Sequence, residues 1–144
     1  MTIELIRPKR PEFSTYASRL MTFLDWPQDH PLTQEELARH GFYYAGYFDC
    51  TRCYYCGGAI RNWEPDDDVQ LEHARWFSCC PLVLSTLGKD VVDIVSYMQR
   101  NNIKITIESV NNERNRQQTN QFQDCPMDQS KSGDIEILQS NNLI

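Results

Sequence analysis

The 144-residue chain lacks any run of about 20 apolar residues, the length that a membrane-spanning helix needs. Its first residues, MTIELIRPKRPEF, also lack the apolar core of a secretory signal. Basic residues are in deficit, because 14 Lys and Arg stand against 20 Asp and Glu, a formal net charge of −6. A chain without excess cations releases few counterions from phosphates, so we expect no nucleic-acid partner. These absences also predict no membrane partner, and a location in the cytoplasm or the nucleus.

Groups arranged for catalysis are missing too. No Ser/His/Asp or Cys/His pair has the placement of a nucleophile with its general base. We therefore expect that the chain is not an enzyme.

Cysteine occurs six times, and five of the six lie between residues 50 and 80. The same window contains His73, whereas Cys125 lies alone in the C-terminal part. An even number of cysteines suggests disulfides in a secreted chain, but clustered cysteines in a reducing compartment more often bind metal. The clustering therefore predicts a metal site.

The composition changes along the chain. Residues 11–101 contain all three Trp and all seven Tyr, whereas the stretch from residue 113 reads ERNRQQTNQFQDCPMDQSKSGD. Such a polar stretch buries too little apolar surface to offset the entropy lost on ordering. We predict a folded domain over 11–101 and a polar, mostly disordered tail over 102–144, without a long helix after the domain.

Local signals predict helices before the cysteine window. Ser14 is placed to cap a helix whose apolar stripe ends at Leu24. Thr33 and Glu36 have the spacing of a capping box, and Gly41 follows where that helix should end.

The middle of the chain predicts a small sheet followed by more helices. Short aromatic segments punctuated by glycine indicate antiparallel strands at about 42–45, 51–54 and 59–62. The acidic run Asp66–Asp68 suits the start of a helix that continues to Phe77. A further helical stripe runs from Val91 to Met98. The fold class is therefore α+β, with helices around a short three-stranded antiparallel sheet.

The metal ligands can be proposed from spacing. Cys53 and Cys56 form a Cys-x2-Cys pair followed by two glycines, which is typical of a zinc knuckle. His73 and Cys80 complete a closed Cys3His set, the kind that holds structural Zn²⁺. Cys79 is an alternative to Cys80. A redox Cys-x2-Cys is a further alternative, although such a pair normally opens a helix after a strand.

The chain resembles the BIR domain, the baculoviral inhibitor-of-apoptosis repeat, across about residues 11–101. The resemblance rests on RLMTFLDWP (19–27), LARHGFYYAGYFDCTRCYYCGGAIRNWEPDDD (37–68) and EHARWFSCC (72–80). It implies a single zinc-binding BIR domain with one structural Zn²⁺. The family's ligand positions fall on Cys53, Cys56, His73 and Cys80, which favours Cys80 over Cys79.

The resemblance also implies a groove that captures the free, Ala-starting N-terminus of pro-apoptotic proteins or processed caspases and so restrains cell death. The partner would add as a strand beside residues 60–62, with its ammonium group at Asp67 and Glu72. Trp76 corresponds to the family's groove tryptophan. The residues expected to bind the peptide are Ile60, Arg61, Asn62, Trp63, Asp67, Glu72, Trp76 and Phe77.

Some of these residues have a purely structural alternative. Trp63, at the end of a strand, is equally consistent with the core, and Asp66 and Asp68 with an acidic helix N-terminus. The family usually has Asp-Pro-Trp where this chain has Asp68-Val69-Gln70, so one aromatic at the groove rim is missing.

Several other residues have expected structural roles. Arg19 corresponds to an arginine that the family packs against the metal knuckle. We expect His30 and His40 to face solvent, and Asp49 to lie in a turn or at a strand edge.

Other family members suggest two further functions. Chromosomal-passenger BIR proteins read a histone N-terminus in cell division and carry a long helix after the BIR domain, which the polar tail argues against. Members with a RING are ubiquitin ligases, but a RING needs about eight Cys and His ligands, and here only Cys125 follows Cys80. Residues 134–138, DIEIL, alternate in polarity and suggest a weak contact with a ubiquitin-like modifier.

Overall fold

A computed structural model describes residues 7–124, with side chains to residue 119. The three strands are β1 (Phe42–Tyr44), β2 (Thr51–Cys53) and β3 (Ala59–Ile60). The six α-helices of this part of the chain are α1 (Tyr16–Leu20), α2 (Gln34–Arg39), α3 (Val69–Trp76), α4 (Pro81–Leu87), α5 (Lys89–Arg100) and α6 (Ile107–Asp124). Short 3₁₀ turns cover Pro11–Phe13 and Met21–Phe23.

The sheet is antiparallel with the order β1-β2-β3, which confirms the predicted three-stranded sheet. Phe42 pairs with Cys53, and Thr51 pairs with Ile60. Because side chains alternate across a strand, this register places Phe42, Thr51 and Ile60 in the interior. Arg52, between two buried neighbours on β2, is exposed.

The helices begin at local caps. The Thr33 hydroxyl accepts a hydrogen bond from the Glu36 N–H at 3.1 Å, as predicted, and Gly41 follows α2 at φ +97°. The cap of α1 is Thr15 instead of Ser14, because the Thr15 hydroxyl accepts from the Ser18 N–H at 3.2 Å. Both hydroxyls precede the same helix, and the sequence does not distinguish them.

The core lies between the sheet and helices α3 to α5. Phe42 and Leu37 are fully buried, and Val95 of α5 packs into the same cluster. An aromatic group closes the other end, where the Trp26 ring meets Phe23 and Tyr44 edge to face at 5.4 and 5.2 Å between centroids, and Phe23 stacks on Tyr44 at 5.9 Å. The core thus joins the first helix to the last elements of the domain.

The chain after α5 differs from the predicted disorder, because residues 107–124 form α6. Thr106 and Ser109 cap this helix reciprocally, each hydroxyl accepting from the other's backbone N–H, at 3.0 and 2.9 Å. The Glu, Arg and Gln residues that follow have good helix propensity. The compact unit that holds the sheet extends to Val110, which is 3% exposed. None of the helices described is long and apolar enough to cross a membrane.

Asp49 links the β1–β2 loop to the chain after β3. Its carboxylate accepts hydrogen bonds from the Asn62 and Trp63 N–H groups at 2.8 and 2.9 Å, and lies 3.1 Å from His30 Nε2. His30 Nδ1 accepts from the Leu32 N–H at 3.0 Å. The prediction that His30 faces solvent was therefore wrong, because this ring bridges two loops and its side chain is only 10% exposed.

We expect Asp49→Ala to lower the free energy of unfolding by about 2–3 kcal/mol at pH 7, because two backbone donors lose a charged acceptor. Burial raises the pKa of Asp49, but the hydrogen bonds from Asn62, His30 and Trp63 outweigh it and lower the pKa below its usual value. A lowered carboxyl pKa stabilises the fold above the unfolded pKa, and this stabilisation is lost as pH falls through the folded pKa.

Urea unfolding at several pH values measures both effects. The difference between wild type and Asp49→Ala should shrink on acidification. The exposed Asp29→Ala is the matched control and should change stability by less than about 0.5 kcal/mol. Equal effects of the two substitutions would contradict the role given to Asp49.

Candidate metal centre and adjoining groove

The knuckle is the turn between β2 and β3. Cys53 ends β2, and Cys56 lies in the turn, where Gly57 adopts φ +77° and reverses the chain. Backbone N–H groups point at the sulfurs, from Tyr55 to Cys53 Sγ at 3.3 Å and from Gly58 to Cys56 Sγ at 3.4 Å. These donors orient the two thiols toward the same point.

The other two ligand candidates come from the helices that cover the sheet. His73 lies on α3, and Cys80 lies directly before Pro81, the first residue of α4. The sulfurs of Cys53 and Cys80 are 4.0 Å apart, and Cys56 Sγ is 3.6 Å from His73 Nε2. All four donor atoms lie within 4.8 Å of one another, so the cluster could hold a metal ion.

Cys79 does not join this cluster. Its side chain is exposed, whereas that of Cys80 is 2% exposed. Adjacent residues point in different directions where α4 begins, which decides between two thiols that spacing alone leaves equivalent. Cys50 is buried and also lies outside the cluster.

Three crowded thiols cannot all ionise without a cation. Hydrogen bonds from Cys53 and Cys56 lower the pKa of Cys80, whereas hydrogen bonding to Cys56 and Cys80 together with burial raises the pKa of Cys53. The thiols therefore oppose one another's ionisation, as the raised pKa of Cys53 reflects. A bound dication would supply the charge needed for three thiolates.

Arg19 lies next to this centre and is 6% exposed. Its guanidinium donates to the Ala38 and Phe13 carbonyls at 2.8 and 2.9 Å and stacks 4.9 Å from the centre of the Tyr54 ring. Burial lowers the pKa of Arg19, and the nearby Tyr54 and Cys53 oppose that shift. Arg19 therefore joins α1, α2 and the knuckle.

The resemblance places the peptide groove on the surface between β3 and α3. Trp76, at the end of α3, is 52% exposed, and the following Phe77 packs on Gly58. A Cβ added to Gly58 would lie 2.6 Å from the Phe77 ring, so only glycine permits this approach. The end of α3 therefore lies beside the start of β3, and α3 runs antiparallel to β3.

Two carboxylates lie before and within α3, where Asp67 and Glu72 line a cavity together with Arg75, Gln99 and Lys104. Asp67 accepts from the Glu64 N–H at 2.8 Å, which fixes the turn before α3. Glu72 is 8% exposed and accepts from the Trp76 indole N–H at 3.3 Å. Burial, and then the charge of Asp67, raise the pKa of Glu72. This cavity therefore carries two adjacent negative charges, one of them nearly desolvated.

The remaining predicted peptide-binding residues divide into core and surface. Ile60 and Trp63 are 7% and 5% exposed, and the Trp63 indole donates to the Thr51 hydroxyl at 3.2 Å, so Trp63 is a core residue. Arg61 and Asn62 are exposed beside the groove, and Asn62 adopts φ +62°.

The acidic run before α3 has divided roles. Asp68 is the cap of α3, because its carboxylate accepts from the Leu71 N–H at 2.9 Å. Asp66 is exposed. The structural interpretation therefore holds for Asp68, whereas Asp67 is the acid that turns toward Glu72.

Arg75 is a groove residue that the sequence did not single out. It lies 3.5 Å from Glu72, stacks 4.7 Å from the centre of the Trp76 ring, and donates to the Gln99 amide oxygen at 2.6 Å. The spacing of three residues between Glu72 and Arg75 on one helix was the available signal. No sequence signal indicated the contact between Arg75 and Gln99 of α5. Cys125 and residues 134–138 lie outside the described residues.

Comparison with known families agrees with this geometry. Residues 19–84 match the family described as "BIR: Inhibitor of Apoptosis domain". This segment of the chain is a BIR domain. The matched segment contains both halves of the metal cluster and the whole of the groove.

The BIR domain is also similar to curated proteins. An E3 ubiquitin-protein ligase, IAP-3, of Orgyia pseudotsugata multicapsid polyhedrosis virus is 46% identical over 59% of this chain and 32% of its own length. An apoptosis inhibitor, IAP, of Cydia pomonella granulosis virus is 38% identical over 63% and 33%. Baculoviral IAP repeat-containing protein 7 of Mus musculus is 41% identical over 60% and 30%. The matches thus span about a third of each relative.

A solved structure of DIAP1 BIR1 bound to a Grim peptide matches 46% of this chain and 68% of that chain, at 42% identity and a TM-score of 0.44.

We expect Cys80→Ser to abolish stoichiometric metal binding and the cooperative unfolding transition, because metal-binding free energy in such sites, about 10 kcal/mol or more, is folding free energy. Cys79→Ser changes the neighbouring thiol and is the matched control, expected to keep both properties. Metal content by mass spectrometry and unfolding by circular dichroism measure the outcome. A folded, metal-free Cys80→Ser domain would contradict a structural metal.

We expect Glu72→Gln to raise the unfolding midpoint by roughly 2–4 °C at pH 7. The folded pKa of Glu72 is raised, so its charged form opposes folding as pH rises through that pKa, and glutamine removes the charge while keeping the acceptor for Trp76. Thermal unfolding at pH 7 and pH 4 measures the effect. The gain should shrink at pH 4, and a loss of stability at pH 7 would refute this account.

Proposed function

We propose that this BIR domain captures the free N-terminus of a partner protein, with the ammonium group between Asp67 and Glu72. The observation that carries the proposal is the pair of adjacent carboxylates at one end of the groove, one of which is buried without a full counter-charge. A buried carboxylate costs free energy unless it is paired. A peptide ammonium supplies one unit of positive charge and three N–H donors at this place.

The groove suits a short extended peptide. β3 is an edge strand, so its outer side can accept an additional strand through backbone hydrogen bonds. The half-exposed Trp76 ring forms the wall beside this edge. Space for only a small first side chain is expected next to Glu72, because Trp63 and Ile60 fill the floor from the core. Alanine fits that requirement.

Zinc is the metal that the centre suits best. A tetrahedral Zn²⁺ with Zn–S bonds of about 2.3 Å places two sulfurs about 3.8 Å apart, close to the 4.0 Å between Cys53 and Cys80. The Cys3His set is soft and closed, with every position taken by protein. The ion would hold the knuckle, α3 and the start of α4 together and would leave no open position for catalysis.

The biological role proposed is restraint of cell death, with pro-apoptotic proteins or processed caspases as partners. It is supported by the BIR match and by relatives that are named as apoptosis inhibitors. We propose a binding module and no catalytic role for the metal centre or groove, in the cytoplasm or the nucleus.

A second candidate is a chromosomal-passenger BIR protein that reads a histone N-terminus. The helix α6 favours it, since the sequence argument against a helix after the domain no longer holds. The composition of α6 opposes it, because the only large apolar residues of its 18 are Ile107, Val110 and Phe122. A helix that pairs with partner helices needs a continuous apolar stripe.

Fluorescence anisotropy with a labelled tetrapeptide that begins with free Ala tests the proposal. Acetylation of the N-terminus should weaken binding by at least about 30-fold, because it leaves the buried carboxylate unpaired. Asp67→Asn, which keeps an acceptor for the Glu64 N–H, should weaken binding by about 10-fold or more. Trp76→Ala should act similarly. A histone-like Ala-starting peptide is included to compare the second candidate.

Asp66→Asn is the matched control, since it removes the same charge from the neighbouring, exposed residue. It should change the affinity by less than about two-fold. Binding that is indifferent to acetylation, or equally weakened by Asp66→Asn and Asp67→Asn, would refute N-terminus capture.

A further inference from the structure

The groove has a direction. α3 runs antiparallel to β3, so the acidic anchor lies at the end of β3 and Phe77 lies at its start, against Gly58. A strand whose ammonium lies at Asp67 and Glu72 must therefore run back along β3 toward Gly57. The direction inferred for the bound peptide depends only on the positions of the two carboxylates and Phe77 relative to β3.

The far end of this path carries positive charge. The Arg52 guanidinium donates to the Gly57 carbonyl at 3.0 Å, and the Lys9 side chain lies over the same glycine, with its Cγ 3.4 Å from a Cβ built there. The backbone of Lys9 is fixed here, because its main-chain N–H donates to the Tyr55 carbonyl at 2.9 Å. Two basic side chains therefore lie against Gly57, just before the start of β3.

Neither cation is neutralised by a carboxylate within 4.0 Å among the residues that the structure describes. Arg10, next along the chain, is different, because it pairs with Glu12 at 2.6 Å. The start of β3 is thus a locally basic surface on a chain whose formal net charge is −6.

The distance along β3 from the carboxylates to Gly57 determines which residues of a bound peptide would reach Lys9 and Arg52. From Asn62 to Gly57 the chain advances by roughly five residues, or about 17 Å when extended. A ligand anchored by its first residue would bring about its fifth to seventh residues to Lys9 and Arg52.

We propose that this domain selects N-terminal segments that carry acidic side chains at about positions five to seven, and that Lys9 and Arg52 read them. The inference rests on the proposed capture of a free N-terminus and adds the ligand class. The two ends of one groove then recognise opposite charges: an ammonium at the acidic end and carboxylates at the basic end. Such complementarity sets orientation and partner choice more than total affinity.

The test uses three labelled peptides on the zinc-loaded full chain: an Ala-starting tetrapeptide, and two octapeptides that extend it with either two Asp or two Lys at positions five to seven. Anisotropy titrations in about 50 mM salt should show the Asp octapeptide binding about five-fold or more tighter than the Lys octapeptide. The ratio should fall toward one in about 500 mM salt, because exposed charges are screened.

The double substitution Lys9→Gln with Arg52→Gln should remove the preference at low salt and leave the tetrapeptide affinity unchanged. Its matched control is Arg39→Gln with Lys89→Gln, which removes the same charge from exposed helix positions on α2 and α5 and should keep the preference. Metal content and circular dichroism verify that both variants are folded.

The outcomes separate the two proposals. If the tetrapeptide binds but both octapeptides bind equally, or if the two double variants lose the preference alike, the acidic-extension inference is wrong and N-terminus capture stands. If the tetrapeptide does not bind, or binds equally when acetylated, capture fails and this inference fails with it.

Discussion

The convergence of four side chains on one point is the constraint on which the rest of the domain depends. Cys53 and Cys56 belong to the turn between β2 and β3, whereas His73 and Cys80 belong to the helical layer. A metal ion held by these four side chains would tie the sheet to the helical layer, in addition to the apolar core between them.

The same arrangement gives the groove its polarity. His73 lies between Glu72 and Trp76 on α3, so the helix that supplies a metal ligand also sets the carboxylate and the indole one turn apart. The knuckle turn on the other side brings Arg52 to Gly57. The knuckle turn therefore carries a basic residue, whereas the carboxylates lie before and within α3.

One residue assigned to the groove, Glu72, lowers the stability of the fold. Glu72 is buried with only partial compensation from Arg75 and the Trp76 N–H, and the raised pKa reflects that cost. Asp49 shows the opposite design, since its hydrogen bonds lower its pKa and close the loops around β3. Asp49, which holds the fold, is satisfied internally, whereas Glu72 is the carboxylate that a cationic ligand would satisfy under the proposed function.

The sequence by itself determined what depends on residues within a few positions: the Thr33 and Asp68 caps, the Cys-x2-Cys knuckle and the pattern of three strands. It also contained the Thr106–Ser109 cap of α6, which the polar composition concealed. Only the tertiary structure decided that Cys79 faces solvent, that Trp63 belongs to the core, and that Asp49 meets His30 across 19 positions. Those outcomes depend on distant segments packing together, and neither spacing nor composition specifies which side chain then points inward.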